Sequence, residues 1–417
     1  LGGGPGIIRL NRWAKASRSI RKALDPLVLH AAGTAARRRQ SDEPLSFGES
    51  LDGSRDILVV AARHLTDLLA VVPAAQALKK RYPLARIHVL ADAASAEALA
   101  GRPEIFEAVP WDDEPLLSRT MLERMRKLRA RGFDLAIAID DGTAHRDRVL
   151  AALTGAKLRL GLHPDGADPT LNLVVASSPA AGYRPVQSLE FLSFLGIPRE
   201  RLTPCWEIPE ADRRYAERLL DLRRRGASGW LLAVDPGQGR AGVRPHPAKL
   251  AWLVERVAGA RGALPIVLTD RRTGGIVEEF KSHLKVPTLD APSRGMRDVL
   301  AFLGGSGLFL AGNTNLFHFA VALGVPTIGF FGREEPDQWV PRDRPSCRVV
   351  RIAPGERVRE TEFLKIVDQV RESDGRRVPT GVSAPPAASP AKPVVETDRT
   401  RPAAGSEVPA DSSSPRD

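Results

Sequence analysis

The stretch AGNTNLFHFAVALGVPTIGFFG, residues 311–332, decides the fold. Its first residues close an apolar run, GLFLAG (307–312), that reads as a buried strand ending at Gly312. A polar turn follows, Asn313-Thr314-Asn315, and then a helix carrying His318, Phe319, Ala322 and Leu323. The unit ends in a second apolar run, PTIGFFG (326–332). Strands that are apolar without alternation are buried on both faces, and a helix between two of them is the crossover a parallel pair requires.

The same alternation extends outward from this unit. GWLLAVD (229–235) and LPIVLT (264–269) precede it as further strands of one series. An earlier series comprises DILVVAA (56–62), ARIHVLA (85–91) and FDLAIAID (133–140), with helices such as VPAAQALKKRYP (72–83) between them. Between the two series lie LTPCWEIP (202–209) and a charged helix through Arg225. The reading is α/β, with two Rossmann-like domains in succession. It divides the chain into a basic leader (1–54), a first domain (55–210), a second domain (211–372) and a tail (373–417). The tail is rich in Pro, Ala, Ser and charge, and cannot bury enough apolar surface to offset its ordering entropy, so disorder is expected there.

Composition agrees with a folded chain of more than one domain. With 417 residues, 43% hydrophobic and 27% charged, it exceeds what one core usually organises and lies near the globular average. The 61 basic and 50 acidic residues give a net charge of +11, which favours anionic partners such as nucleotides, phosphorylated glycolipids or nucleic acid. Nucleic acid is the least expected of these, because aromatics make up 5% of the chain and no helix-turn-helix or RNA-binding motif is present. Two cysteines, Cys205 and Cys347, lie far apart with no CxxC around either, so neither a disulfide framework nor a zinc site is indicated and a reducing cytoplasm is expected. The sequence has no apolar run of membrane-spanning length. Residues 8–30 predict instead a basic amphipathic helix, with Ile8, Trp13, Ile20, Leu24 and Leu27 on one face and Arg9, Arg12, Lys15, Arg18, Arg21 and Lys22 on the others. Such a helix suits an anionic membrane surface, or a solvated or core-docked leader.

Two turns carry the candidate chemistry. The first strand runs into ARHLTDLLAVVPA (62–74), which places Asp67 just beyond a strand end, where open α/β sheets bind ligands. The turn has no GxGxxG, which disfavours a hydride-transferring dinucleotide enzyme. Asp67 reads equally as a helix-cap carboxylate. At the second turn, amides at the helix start near Asn315 and the Thr314 hydroxyl suit a diphosphate. His318 taken alone reads as a core histidine.

Residues 311–332 together with GREEPDQWVP (332–341) resemble glycosyltransferase family 9, the ADP-heptose:lipopolysaccharide heptosyltransferase type. In that family a strand leads into Asp-Thr-Gly-x-x-His, an Ala-rich helix, a Gly-x-Pro strand, Phe-Gly and Trp-x-Pro. The first domain is similar too, through Thr66-Asp67-Leu68-Leu69 and Pro73-Ala74, and further marks are GAKLRLGL (155–162), FLGIP (194–198) and DPGQG (235–239). The resemblance implies a GT-B architecture, with two Rossmann-like domains facing across a cleft. It also implies inverting transfer of a sugar from a nucleotide sugar, ADP-heptose in the best-known members, to a lipopolysaccharide-core acceptor, with no cofactor and no metal. By position it makes Asp67 the general base. Donor binding falls to Asn313, Thr314, Asn315 and His318, with Gly237, Gly239, Arg240 and Arg244 alongside. The sequence departs from the pattern at Asn313 and Asn315, where the family has Asp and Gly, and at Thr66, where it has Gly. Arg244-Pro245-His246-Pro247 replaces Lys-Arg-Trp-Pro.

Lesser expectations are that Glu278 and Glu279 touch the donor ribose or form a solvated helix start, and that Asp140, Asp141 and His145 are an acidic strand end rather than a metal site. The alternative function is a GT-B module that binds a nucleotide sugar or glycan without turning it over.

Overall fold

The computed structural model describes residues 32–34, 55–61, 64–111, 118–139, 146–163, 168–176, 183–197, 204–224, 228–237, 245–269, 274–289, 293–332, 337–341, 344–352 and 358–373. The leader helix expected over residues 8–30 and the tail lie outside them, as do Gly239, Arg240, Arg244, Asp140, Asp141 and His145.

Each series of strands builds its own sheet. The first contains β1 (Asp56–Ala61), β2 (Arg86–Ala91), β3 (Glu107–Pro110), β4 (Leu135–Ala138), β5 (Leu158–His163) and β6 (Leu173–Ala176), in the spatial order β3-β2-β1-β4-β5-β6. The second contains β7 (Trp230–Asp235), β8 (Ala263–Val267), β9 (Leu308–Gly312), β10 (Thr327–Gly332) and β11 (Cys347–Ile352), in the order β11-β10-β9-β7-β8. All ladders are parallel, as the apolar strands predict.

The order of strands reverses once in each sheet, between β1 and β4 and between β7 and β9. The crevice beyond the carboxyl ends of the strands at such a switch point is where open α/β sheets receive ligands. Both candidate turns lie there: the Asp67 turn follows β1, and Asn313-Thr314-Asn315 follows β9.

The helices that concern the site are α1 (Leu68–Arg81), α2 (Ala93–Leu99), α3 (Arg119–Arg129), α4 (Arg146–Leu153), α5 (Glu210–Arg224), α6 (Pro247–Arg261), α7 (Gly274–His283), α8 (Met296–Gly304), α9 (Asn315–Ala322) and α10 (Glu360–Glu372). Helix α1 starts before the expected Val72 because a 3-10 turn, Leu65–Asp67, runs straight into it. Pro73 lies within the helix.

The strands alternate between two sides, and this alternation creates a shared central core. Ile57, Val59 and Ala61 of β1 join Phe309 and Ala311 of β9 in one apolar cluster that includes buried residues of α1, α8 and α9. Leu58 and Val60 face a separate cluster behind the first sheet, and Leu308 and Leu310 face another behind the second. Trp206, in the connection between the series, sits edge-on to Phe319 of α9 at 4.9 Å. The connecting helix α5 packs on α8, where Arg297 holds Asp212 through paired bonds of 2.9 Å.

Candidate active site

The Asn313 turn is built from the inside. Thr314 is the N-cap of α9: its backbone is extended and its Oγ1 accepts the Phe317 amide at 3.4 Å. Its own N–H donates to Gly312 O at 2.8 Å. These two amides are therefore spent inside the protein. The Thr314 hydroxyl keeps its hydrogen as a donor. Asn315 is the first residue of the helix, so the glycine that the family has at this position is not required here for a left-handed backbone.

His318, one turn further along α9, is completely buried. Its Nε2 donates to Asn313 Oδ1 at 2.9 Å, and its Nδ1 accepts the hydroxyl of Tyr183 at 2.7 Å. A single ring proton, on Nε2, satisfies both bonds. Asn313 is 1% exposed. His318 is thus a bonded core histidine, and its bond to Asn313 braces the side chain that opens the turn.

Tyr183 comes from the first series and reaches across to the second. Its neighbour Arg184 lies over the Trp339 ring at 5.3 Å and donates to Gln338 Oε1 at 3.2 Å, while Trp339 also stands 5.7 Å from His318. The Trp-x-Pro element thus backs the Asn313 turn. Sequence reasoning missed Tyr183, since the stretch around it has no periodicity and nothing local marks it.

Asp67 closes the 3-10 turn Leu65–Asp67 and is half-buried. Its Oδ2 accepts the His64 amide at 3.0 Å, so the carboxylate caps its own turn. The turn packs against α9, which brings the predicted base and the predicted donor helix together although they come from different sheets. Beside this contact opens a small cleft. Leu65, Asp92 and Glu97 line it from one side and Thr269, Ser293 and Asn315 from the other. Asp92 follows β2 and caps α2 by accepting the Ala94 and Ser95 amides at 3.0 and 3.1 Å. It was legible by the rule that pointed to Asp67, a carboxylate just past a strand end. The Glu97 carboxylate lies so close to Gly295 that a side chain at that glycine would collide with it.

The structure has the fold of a family 9 glycosyltransferase. It is similar to the family 9 glycosyl transferase of Veillonella parvula DSM 2008, with a TM-score of 0.65, 17% identity, and coverage of 78% of this chain and 98% of that one. The E. coli ADP-heptose lps heptosyltransferase II gives a TM-score of 0.62 at 17% identity, covering 76% of this chain and 98% of its own. The E. coli heptosyltransferase WaaC with ADP gives 0.57 at 15% identity, covering 77% and 99%. No family model and no curated protein sequence matches the chain. At such identities the shared property is the fold, and the residues must carry the rest of the argument.

Two expectations fare differently. Gly237, expected to bind the donor, lies two residues past β7, and its amide donates to Asp235 Oδ1 at 2.8 Å and so braces the turn. Glu278 and Glu279 are exposed on α7 and do not line the cleft, which corresponds to the solvated helix reading. Among the described residues no cluster of three or more His, Cys, Asp or Glu is arranged to hold a metal ion, and no helix is long and apolar enough to cross a membrane.

Proposed function

We propose that the chain is an inverting glycosyltransferase that moves a sugar from a nucleotide-diphosphate sugar, ADP-heptose by preference, onto a lipopolysaccharide-core or related surface-glycan acceptor. The observation that carries this is the packing of the Asp67 turn against α9, with the two turns at the switch points of two facing sheets. In this reading the diphosphate rests at Asn313-Thr314-Asn315, held by the Thr314 hydroxyl and by basic side chains, Arg240 or Arg244. Asp67 takes the proton from the acceptor hydroxyl as that oxygen attacks the anomeric carbon and the nucleoside diphosphate departs. The choice of ADP-heptose draws on the E. coli proteins of the same fold, one of which is described with ADP and with ADP-2-deoxy-2-fluoro heptose.

The test is a thermal-shift screen of nucleotides and nucleotide sugars followed by a transfer assay. A donor that binds the native state raises the melting temperature by mass action. The reading expects ADP and ADP-heptose to do so and heptose to appear on a core-glycolipid acceptor. No shift with any nucleotide sugar would overturn it.

A second reading, a binding module without turnover, is favoured by the capping bond between Asp67 and the His64 amide. Donor binding with no transfer to any core acceptor would select it. We further propose a cytoplasmic enzyme that meets its lipid acceptor at the inner membrane, with residues 8–30 contacting the anionic surface. Binding to anionic vesicles should exceed binding to neutral ones and weaken with salt; equal binding to both would remove the idea.

A further inference from the structure

His318 has both ring nitrogens engaged, one by each half of the protein. Nε2 bonds Asn313 in the second half at 2.9 Å, and Nδ1 bonds Tyr183, which is 135 residues away in the chain, at 2.7 Å. The site is dry, since His318 is completely buried and Asn313 is 1% exposed. In such a place a lone pair without a donor costs more than at the surface, and a bonded chain of polar groups acts as a unit. Removing the phenol oxygen would take the 2.7 Å bond to Tyr183 from Nδ1. The ring would then be free to tilt, and with it the Asn313 side chain that opens the donor turn.

We propose that Tyr183 is a positioning residue of the donor turn: its hydroxyl, delivered by the first half, locks His318, and His318 locks Asn313. Nucleotide binding in the second half then depends on a residue of the first, so the turn is ordered only while the two halves are together. The inference rests on the donor reading above. It also gives the Asn at 313 a role. Its amide oxygen takes the Nε2 proton and leaves Nδ1 to accept from Tyr183.

The test uses the full chain and the variant Tyr183→Phe, which removes one oxygen and no carbon. ADP is titrated by calorimetry, and the ring nitrogens of isotope-labelled histidine are followed by NMR. The expected result is that ADP affinity falls about 2- to 12-fold, as for the loss of one neutral hydrogen bond. The Nδ1 resonance of His318 should move downfield while Nε2 stays protonated. An altered Nδ1 resonance with unchanged ADP affinity would overturn the proposal and leave Tyr183 as an interface contact.

A cycle with Asn313→Asp guards against a misfolded single variant. Tyr183 and Asn313 meet through His318, so the effect of Tyr183→Phe on ADP affinity should differ at least about 3-fold between the two backgrounds. Equal effects would show independent sites and overturn the relay. If the unmodified chain binds no nucleotide, the donor reading itself fails; if it binds ADP and Tyr183→Phe binds equally well, this inference alone fails.

Discussion

The two strand-to-helix turns at the switch points are built in opposite ways. After β9 the polar groups are buried and bonded to one another: Asn313 to His318, Thr314 to the Phe317 amide, His318 to Tyr183. After β1 a half-buried carboxylate closes a single 3-10 turn and accepts the His64 amide. A turn of the first kind is rigid before any ligand arrives, which suits the holding of a diphosphate. A turn of the second kind leaves its carboxylate only half-buried, which suits the proton acceptor proposed above. If the proposed function holds, two copies of one fold are divided between binding at the β9 turn and chemistry at the β1 turn.

The largest expected effect falls on the β1 turn. Asp67→Asn keeps the shape and the bonding reach but cannot accept the acceptor proton, so turnover should fall about 10²- to 10⁴-fold in a steady-state transfer assay. A loss of stability with turnover intact would reduce Asp67 to the cap that its bond to His64 describes.

The β9 turn should instead answer to packing. A methyl added at Gly329 would lie 2.5 Å from Phe317 Cε2 and 2.7 Å from Phe331 Cε2, and these rings brace each other at 5.1 Å directly behind His318. Gly329→Ala should cost about 1–3 kcal/mol in denaturant unfolding. In the first sheet, Gly161→Ala meets the end of the Leu171 side chain, which can rotate away, so it should cost less. Equal costs would mean that the paired Phe317 and Phe331 rings yield as readily as Leu171.

Smaller effects separate the two caps. Thr314→Ala removes the N-cap of α9 and should lower stability by about 1 kcal/mol, with Thr314→Ser restoring most of it in thermal melts.

The smallest effect is the response to acid, which belongs to the far ends of both halves. The Arg131 guanidinium, bonded to Glu107, holds its carboxyl below the usual glutamate range against opposition from burial, and Arg261 does the same to Asp368. A folded-state value below the unfolded one means stability that is complete above about pH 4, the unfolded range, and is lost as the pH falls through the lower folded values. Melting temperature should therefore be insensitive to these pairs at neutral pH and drop below about pH 4. Glu107→Gln should make that drop shallower.

Much of the fold was legible because buried parallel strands are continuous apolar runs, and β1, β2, β7, β9 and β10 lie within two residues of their expected ends. The edge strands β3, β6 and β11 were not, since each is partly exposed and its apolar run is short or broken by a charge, as in EAVP, LVVA and CRVVRI. β5 was hidden by Arg159, whose buried guanidinium is satisfied by the carbonyls of Thr170 and Ala156 at 2.9 Å. At the site, the spacing of Asn313 and His318 on one helix turn was readable. The partner of His318 was not: Tyr183 meets it only through the packing of two halves, and no local pattern encodes that. Nor could the sequence show that Thr314 spends its oxygen on capping its own helix.

The division of labour between the two turns is tested most directly by calorimetric titration of ADP into the unmodified chain, Thr314→Ala and Asp67→Asn under one set of conditions. The account predicts that Thr314→Ala weakens binding by about 0.5–1.5 kcal/mol, the contribution of one hydrogen bond, while Asp67→Asn leaves it nearly unchanged. Affinity that falls with Asp67→Asn and is untouched by Thr314→Ala would contradict it.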